Sequence, residues 1–125
     1  MPARSDFFPT DLPARLLPHM AIADVIREGE NLRFQWRLVS THVTEFIGRD
    51  VTGRYFDELY GGADHDDLVA AYVWVTKHGQ PLRWYGNSHF VEKDWLSMEV
   101  IGLPLAADGR TVDKIFCGMF FQQER

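Results

Sequence analysis

The stretch Phe34-Gln-Trp-Arg-Leu-Val-Ser-Thr-His-Val-Thr-Glu-Phe-Ile-Gly-Arg-Asp-Val-Thr-Gly-Arg-Tyr-Phe-Asp-Glu-Leu59 holds three structural elements in succession. Phe34, Trp36 and Leu38 alternate with Gln35 and Arg37, and Arg33 precedes them, which is the period-two pattern of a strand with one wet face. Such a strand, early in the chain, is expected at a sheet edge. Ser40 or Thr41 then supplies an oxygen for an N-cap, and Glu45 stands where a capping box closes. With Val43, Phe46 and Ile47 as an apolar stripe, this predicts a two-turn helix. Gly48 is placed to end that helix in the left-handed conformation. Asp50-Val-Thr-Gly53 is turn chemistry, with Thr52 the expected cap of a second short helix through Leu59. A strand followed at once by two short helices marks a small α+β domain with helices inserted between strands.

Working outward, Asp11-Leu12-Pro13 reads as an N-cap with Pro in the first turn, Leu16 and Leu17 form an apolar side and Pro18 is a stop. A short N-terminal helix is therefore expected. Met20 to Ile26 has the length and apolarity of a strand, and Gly29-Glu30-Asn31 separates it from the next, which predicts a hairpin. Beyond the central stretch, Gly61-Gly62 breaks the chain. Asp64 then caps a long helix carrying Leu68, Tyr72 and Val75 on its apolar side, with Val69 and Val73 beside them. Lys77 and His78 suit the negative end of its dipole, and Gly79 and Pro81 end it.

From Leu82 the period becomes two. Trp84, Gly86, Ser88 and Phe90 share one parity, and Arg83, Tyr85, Asn87 and His89 the other. A run from Leu96 to Leu105 sets Met98 and Val100 opposite Ser97 and Glu99. Asp108-Gly109 is a hairpin signal, and Val112 to Gln122 reads as the last strand. There Ile115, Cys117, Met119 and Phe121 are apolar on one parity, while Phe116 and Phe120 are apolar on the other. A strand apolar on both faces belongs at the centre of a sheet covered on both sides.

The 125 residues suit one domain, 1–125, with 1–18 as an N-terminal extension and helix, and 46% hydrophobic residues can supply its core. Thirteen Lys and Arg against eighteen Asp and Glu give a net charge of -5 with no basic run, which argues against nucleic acid as a partner. No apolar run reaches the roughly 20 residues of a membrane span, and Met1 to Asp6 lacks the pattern of a signal peptide, so the expected compartment is the cytoplasm. One cysteine, Cys117, excludes an internal disulfide or a thiolate cluster.

The order helix, two strands, three helices, three strands, with Gly48-Arg-Asp50 and Thr52-Gly53 between the short helices, resembles the PAS domain. More narrowly, the chain is similar to the short bacterial PAS-like proteins. The residues that carry the likeness are Asp11-Leu-Pro13, Leu16-Leu-Pro-His19, Asp24-Val25, Arg33-Phe34, Arg37-Leu-Val39, Thr41, Gly48-Arg-Asp50, Thr52-Gly53 and the aromatic before Asp57-Glu-Leu59. The resemblance implies a five-stranded antiparallel sheet ordered 2-1-5-4-3 with helices on one face, and a sensory or protein-interaction role rather than catalysis.

PAS proteins hold haem, flavin or metabolites between sheet and helices. A photoactive flavin domain of this family needs Cys within Asn-Cys-Arg-Phe, and here the one Cys falls on the last strand, where burial as a small hydrophobe explains it. His65 and His78 lie at the two ends of the long helix, where capping and dipole roles account for them without haem. Asp64-His-Asp-Asp67 is read as dipole chemistry, since consecutive helical residues diverge and do not converge on a metal. The ligand-lining candidates are Trp36, Phe46, Tyr72, Trp84, Ser88 and Met98, set against the plainer reading of a filled aromatic core. No cofactor follows from these residues.

The function expected is a cytosolic sensory or signalling module acting by protein–protein interaction, with a small molecule in the core as a gate. A homodimer and a separate signalling protein are its expected partners. The second reading, of another class, is a cone-shaped enzyme of the nuclear-transport-factor-like type using an Asp/His pair. Such folds begin with long helices, whereas here two strands come first.

Overall fold

A computed structural model of the chain describes residues 19–47, 50–59, 62–88 and 93–123. β1 (Met20–Glu28) and β2 (Asn31–Val39) form the expected hairpin around the two-residue turn Gly29-Glu30. Ile22 faces Leu38 while Ala23 faces Trp36, so Arg37 is an extra residue on β2 and the pair is bulged there. α1 (Thr41–Ile47) starts just after Ser40, whose carbonyl accepts the Thr44 N–H at 2.9 Å.

α2 (Phe56–Leu59) starts later than its expected cap. Thr52 belongs to the preceding turn, where its N–H donates to Asp50 Oδ1 at 2.9 Å and its hydrogen bonds hold the Asp50 carboxyl below its ordinary range. Tyr55 is the residue before α2, and its N–H donates to Glu58 Oε1 at 3.3 Å. α3 (Gly62–His78) begins two residues ahead of Asp64 and ends as expected, with the Gly79 N–H bonded to the Val75 carbonyl at 2.9 Å. The expected N-terminal helix and the Gly48 cap lie outside the described residues.

β3 (Leu82–Ser88), β4 (Lys93–Leu105) and β5 (Lys114–Gln123) complete one sheet, ordered β2-β1-β5-β4-β3 with every pairing antiparallel. β5 pairs with both β1 and β4, so the strand apolar on both faces is the central one. β4 and β5 form the expected hairpin, with Gly109 at φ 78° in the loop that joins them. Asp108 Oδ1 accepts the N–H groups of Arg110 and Thr111 there, which pulls the Asp108 carboxyl below its ordinary range.

β2 lies at the sheet edge, and the turn after α1 straps it. The Trp36 N–H donates to the Arg54 carbonyl at 3.0 Å, and the Gly53 N–H returns to the Trp36 carbonyl at 2.7 Å. The strap satisfies backbone groups that an edge strand otherwise leaves open. It requires Gly53 at φ 85°, a conformation that L side chains rarely adopt. Arg33 pins the far end, with a two-point bond to Asp57 of α2 at 2.7 and 3.0 Å and its guanidinium 3.8 Å over the Tyr55 ring.

All three helices cover one face of the sheet. Val43 of α1, Phe56 of α2, and Tyr72 and Val75 of α3 share a buried cluster with Ala21, Ala23, Phe34, Trp36, Val100, Ile115 and Cys117 from the strands. The opposite parity, including Met20, Ile22, Asp24, Ile101, Leu103, Phe116 and Phe120, forms the outer face.

Candidate functional site

Tyr72 is the hub of the interior. It sits mid-helix with no solvent exposure, and its ring lies 5.1 Å from Phe56, 5.5 Å from Trp84, 5.7 Å from Phe34 and 6.2 Å from Trp36. The contacts with Phe56, Trp84 and Trp36 are edge-to-face, the arrangement that aromatic quadrupoles favour. Trp84 reaches this cluster because Gly102 lies beside it on β4, and a Cβ at Gly102 would come within 3.0 Å of the indole. Thr76, one turn on, is buried because its hydroxyl donates to the Tyr72 carbonyl at 2.8 Å. The stripe of apolar residues on α3 did not signal that Thr76 turns inward, since only this local bond makes a hydroxyl acceptable there.

The Cys117 thiol faces Tyr72 from β5, with Sγ 3.6 Å from the tyrosine hydroxyl. Burial pushes the thiol up to about 12, only partly opposed by the hydrogen bond with Tyr72. It is therefore a neutral packing group at physiological pH and not a nucleophile.

Of the six ligand-lining candidates, Trp36, Tyr72 and Trp84 come together in this cluster. Phe46, Ser88 and Met98 have their backbones in α1, β3 and β4, and their side chains lie outside the described residues. The same holds for Asp64, His65 and Asp67 at the start of α3.

The outer face carries a second feature, which the sequence signalled only as a surplus of apolar parity. His19, Met20, Ile101, Leu103, Phe116, Gly118 and Phe120 line an apolar groove of about 200 Å³. His19 stacks on Phe120 with ring centroids 4.8 Å apart, and its Nδ1–H donates to the Met119 carbonyl at 3.1 Å. Leu103 is 37% exposed on one wall.

Beyond the Phe116 end of the groove sits Asp24, almost wholly buried on β1. Its Oδ2 accepts from Arg37 at 2.8 Å, and the Lys114 ammonium stands 3.3 Å from Oδ1, close enough to pair but not aligned as a hydrogen bond. Arg37 shares this side of β2 with Gln35, out of phase with the core residues Phe34 and Trp36. At the opposite flank, Arg83 of β3 pairs with Glu99 of β4 at 2.7 Å.

A five-stranded antiparallel sheet of this order, with helices on one face, is the fold that the resemblance to the PAS domain implies. The chain matches the PAS domain family over residues 1–120, and it belongs to that family. PAS domains are sensory and signalling modules. No curated protein matches the chain significantly. Among the described residues, no helix is long and apolar enough to cross a membrane.

Proposed function

We propose that this PAS domain is a signalling module that acts by protein–protein contact made through the outer face of its sheet, and not by catalysis. One observation supports the reading: among the described residues the inner face is packed ring against ring, whereas the outer face presents an apolar groove. At about 200 Å³ the groove is smaller than the roughly 300 Å³ at which drug-sized pockets begin, and it suits side chains of a partner better than a metabolite. Self-pairing as a homodimer and binding of a separate signalling protein compete for this face.

Trp36, Phe46, Tyr72, Trp84, Ser88 and Met98 are the positions at which a small molecule in the interior would gate the module. Native mass spectrometry and an absorption spectrum of the purified protein read such an occupant directly. For the contact surface, light scattering coupled to size exclusion is the test. Wild type is expected to run with the mass of two chains at micromolar concentration, and Leu103→Lys with the mass of one. A wild-type mass of one chain overturns self-pairing.

A further inference from the structure

We propose that residues 51–59 form a lid over the ring-packed interior, which swings off the β2 edge as one unit while the sheet stays intact, and which the pair Arg33–Asp57 latches shut. The segment has little structure of its own. Within it the Arg54 N–H donates to the Val51 carbonyl at 3.0 Å and the Glu58 N–H to the Tyr55 carbonyl at 3.1 Å, and α2 is a single turn of four residues. One helical turn is not stable by itself in water, so the segment keeps its place through what it is fastened to.

The fastenings are of two kinds. At the strand edge, the paired backbone bonds at Trp36, the Gln35 side-chain amide on the Gly53 carbonyl at 2.9 Å and the two-point bond from Arg33 to Asp57 tie the segment to β2. Inward, Val51 and Phe56 are buried, and the Phe56 ring lies 4.5 Å from Trp36, 5.1 Å from Tyr72 and 5.7 Å from Phe34. Phe56 thus plugs the ring cluster from a one-turn element. Where β1 passes between Trp36 and Cys117 it offers the interior only the methyl groups of Ala23 and Ala21. Withdrawal of Phe56 therefore opens a path to Tyr72 and to the Cys117 thiol, 3.6 Å from the tyrosine hydroxyl. The latch itself faces water: the Arg33 side chain is 31% exposed and that of Asp57 40%, so salt weakens the pair.

Native-state hydrogen exchange by NMR, combined with alkylation of Cys117 by iodoacetamide, tests the lid on the full chain. The amides of Trp36, Gly53, Arg54 and Glu58 are expected to exchange through one common opening that urea hardly promotes. The Val25 amide, bonded to the Asp113 carbonyl, is expected to exchange only on global unfolding, with the full urea dependence. Cys117 alkylation should follow the lid amides. Asp57→Asn and Arg33→Gln are each expected to speed both readouts about fivefold at low ionic strength, and the double variant no further, because all three lose the same pair. Added salt should bring wild type to the rate of the variants. Lid amides that exchange each at its own rate, or with the full urea dependence, overturn the lid. Alkylation that tracks the Val25 amide in every variant overturns the path to the interior. Effects that multiply in the double variant overturn the latch and with it the proposal.

Discussion

On the inner side of β5, Ile115 and Cys117 are shut off from solvent beneath α3, whereas on its outer side Phe116 and Phe120, one residue out of phase, border an open groove. The same strand thus serves two surfaces of different character. Inside, aromatic rings from three secondary structures close on Tyr72. Outside, aliphatic and aromatic groups line a shallow cleft whose flanks carry charge. The comparison teaches that apolar residues on both parities place a strand centrally without saying that both faces are core. One face is closed by the chain's own helices, and the other carries an apolar groove next to the buried Met20 and Ile22.

The largest effect separating the two faces is expected at the hub. Tyr72→Ala removes a ring in contact with four others and is expected to cost about 3–5 kcal/mol in urea unfolding. A loss no larger than that of an outer-face substitution would break the distinction between a packed side and an open one.

The next effect comes from Cys117, and pH reads it. The thiol titrates at 9.0 in its ordinary state and at about 12 when buried, so the folded protein keeps a proton that the unfolded chain releases. Its contribution is complete below pH 9.0 and is lost as pH rises toward about 12, with a slope of about 1.4 kcal/mol per pH unit inside that window. Cys117→Ala is expected to flatten the fall in stability between these pH values relative to wild type. Parallel curves for the two proteins would mean that the thiol is not as desolvated as its position beside Tyr72 requires.

Much of this contrast was legible in the residues, and the reasons are specific. β5 could be placed centrally because Ile115, Cys117 and Met119 alternate with Phe116 and Phe120. β2 could be placed at an edge because Gln35 and Arg37 punctuate its apolar positions. Trp36, Tyr72 and Trp84 could be grouped because strand parity and helix periodicity aim them at one layer. Contact chemistry that depends on distant neighbours was not legible. The start of α2 is set by the Glu58 bond to Tyr55, and Thr52 is drawn away by Asp50. The Asp24, Arg37 and Lys114 cluster joins three strands that no local pattern brings together. How closely Trp84 approaches Tyr72 is likewise a matter of packing in three dimensions, and depends on the room that Gly102 leaves beside the indole.

A smaller effect is expected at the strapped edge. Gly53→Ala meets no atom within 4 Å of the new Cβ, so its cost comes from the φ of 85° alone and should be about 1–2 kcal/mol. Thermal melting checks it, and an unchanged midpoint would show that the strap relaxes without holding β2. Such a result would leave the inner face intact and shift the burden of closing β2 onto Arg33 and α2.

The smallest stability change is expected where the functional change is largest. Leu103 is already 37% exposed on the outer wall, so Leu103→Lys removes little apolar surface from the folded state. The lysine stem can lie along the wall with its ammonium in water. Its unfolding free energy is therefore expected to stay within about 0.5 kcal/mol of wild type. Light scattering on the same samples should nevertheless show association lost, because a cation at the centre of an apolar contact must be desolvated for that contact to form. The pairing of the two measurements matters more than either alone. A variant that melts early and dissociates would make the outer face a second core that collapses with the fold. A variant that melts normally and dissociates makes it a surface the fold does not need, and an apolar surface that the fold does not need is one available to a partner.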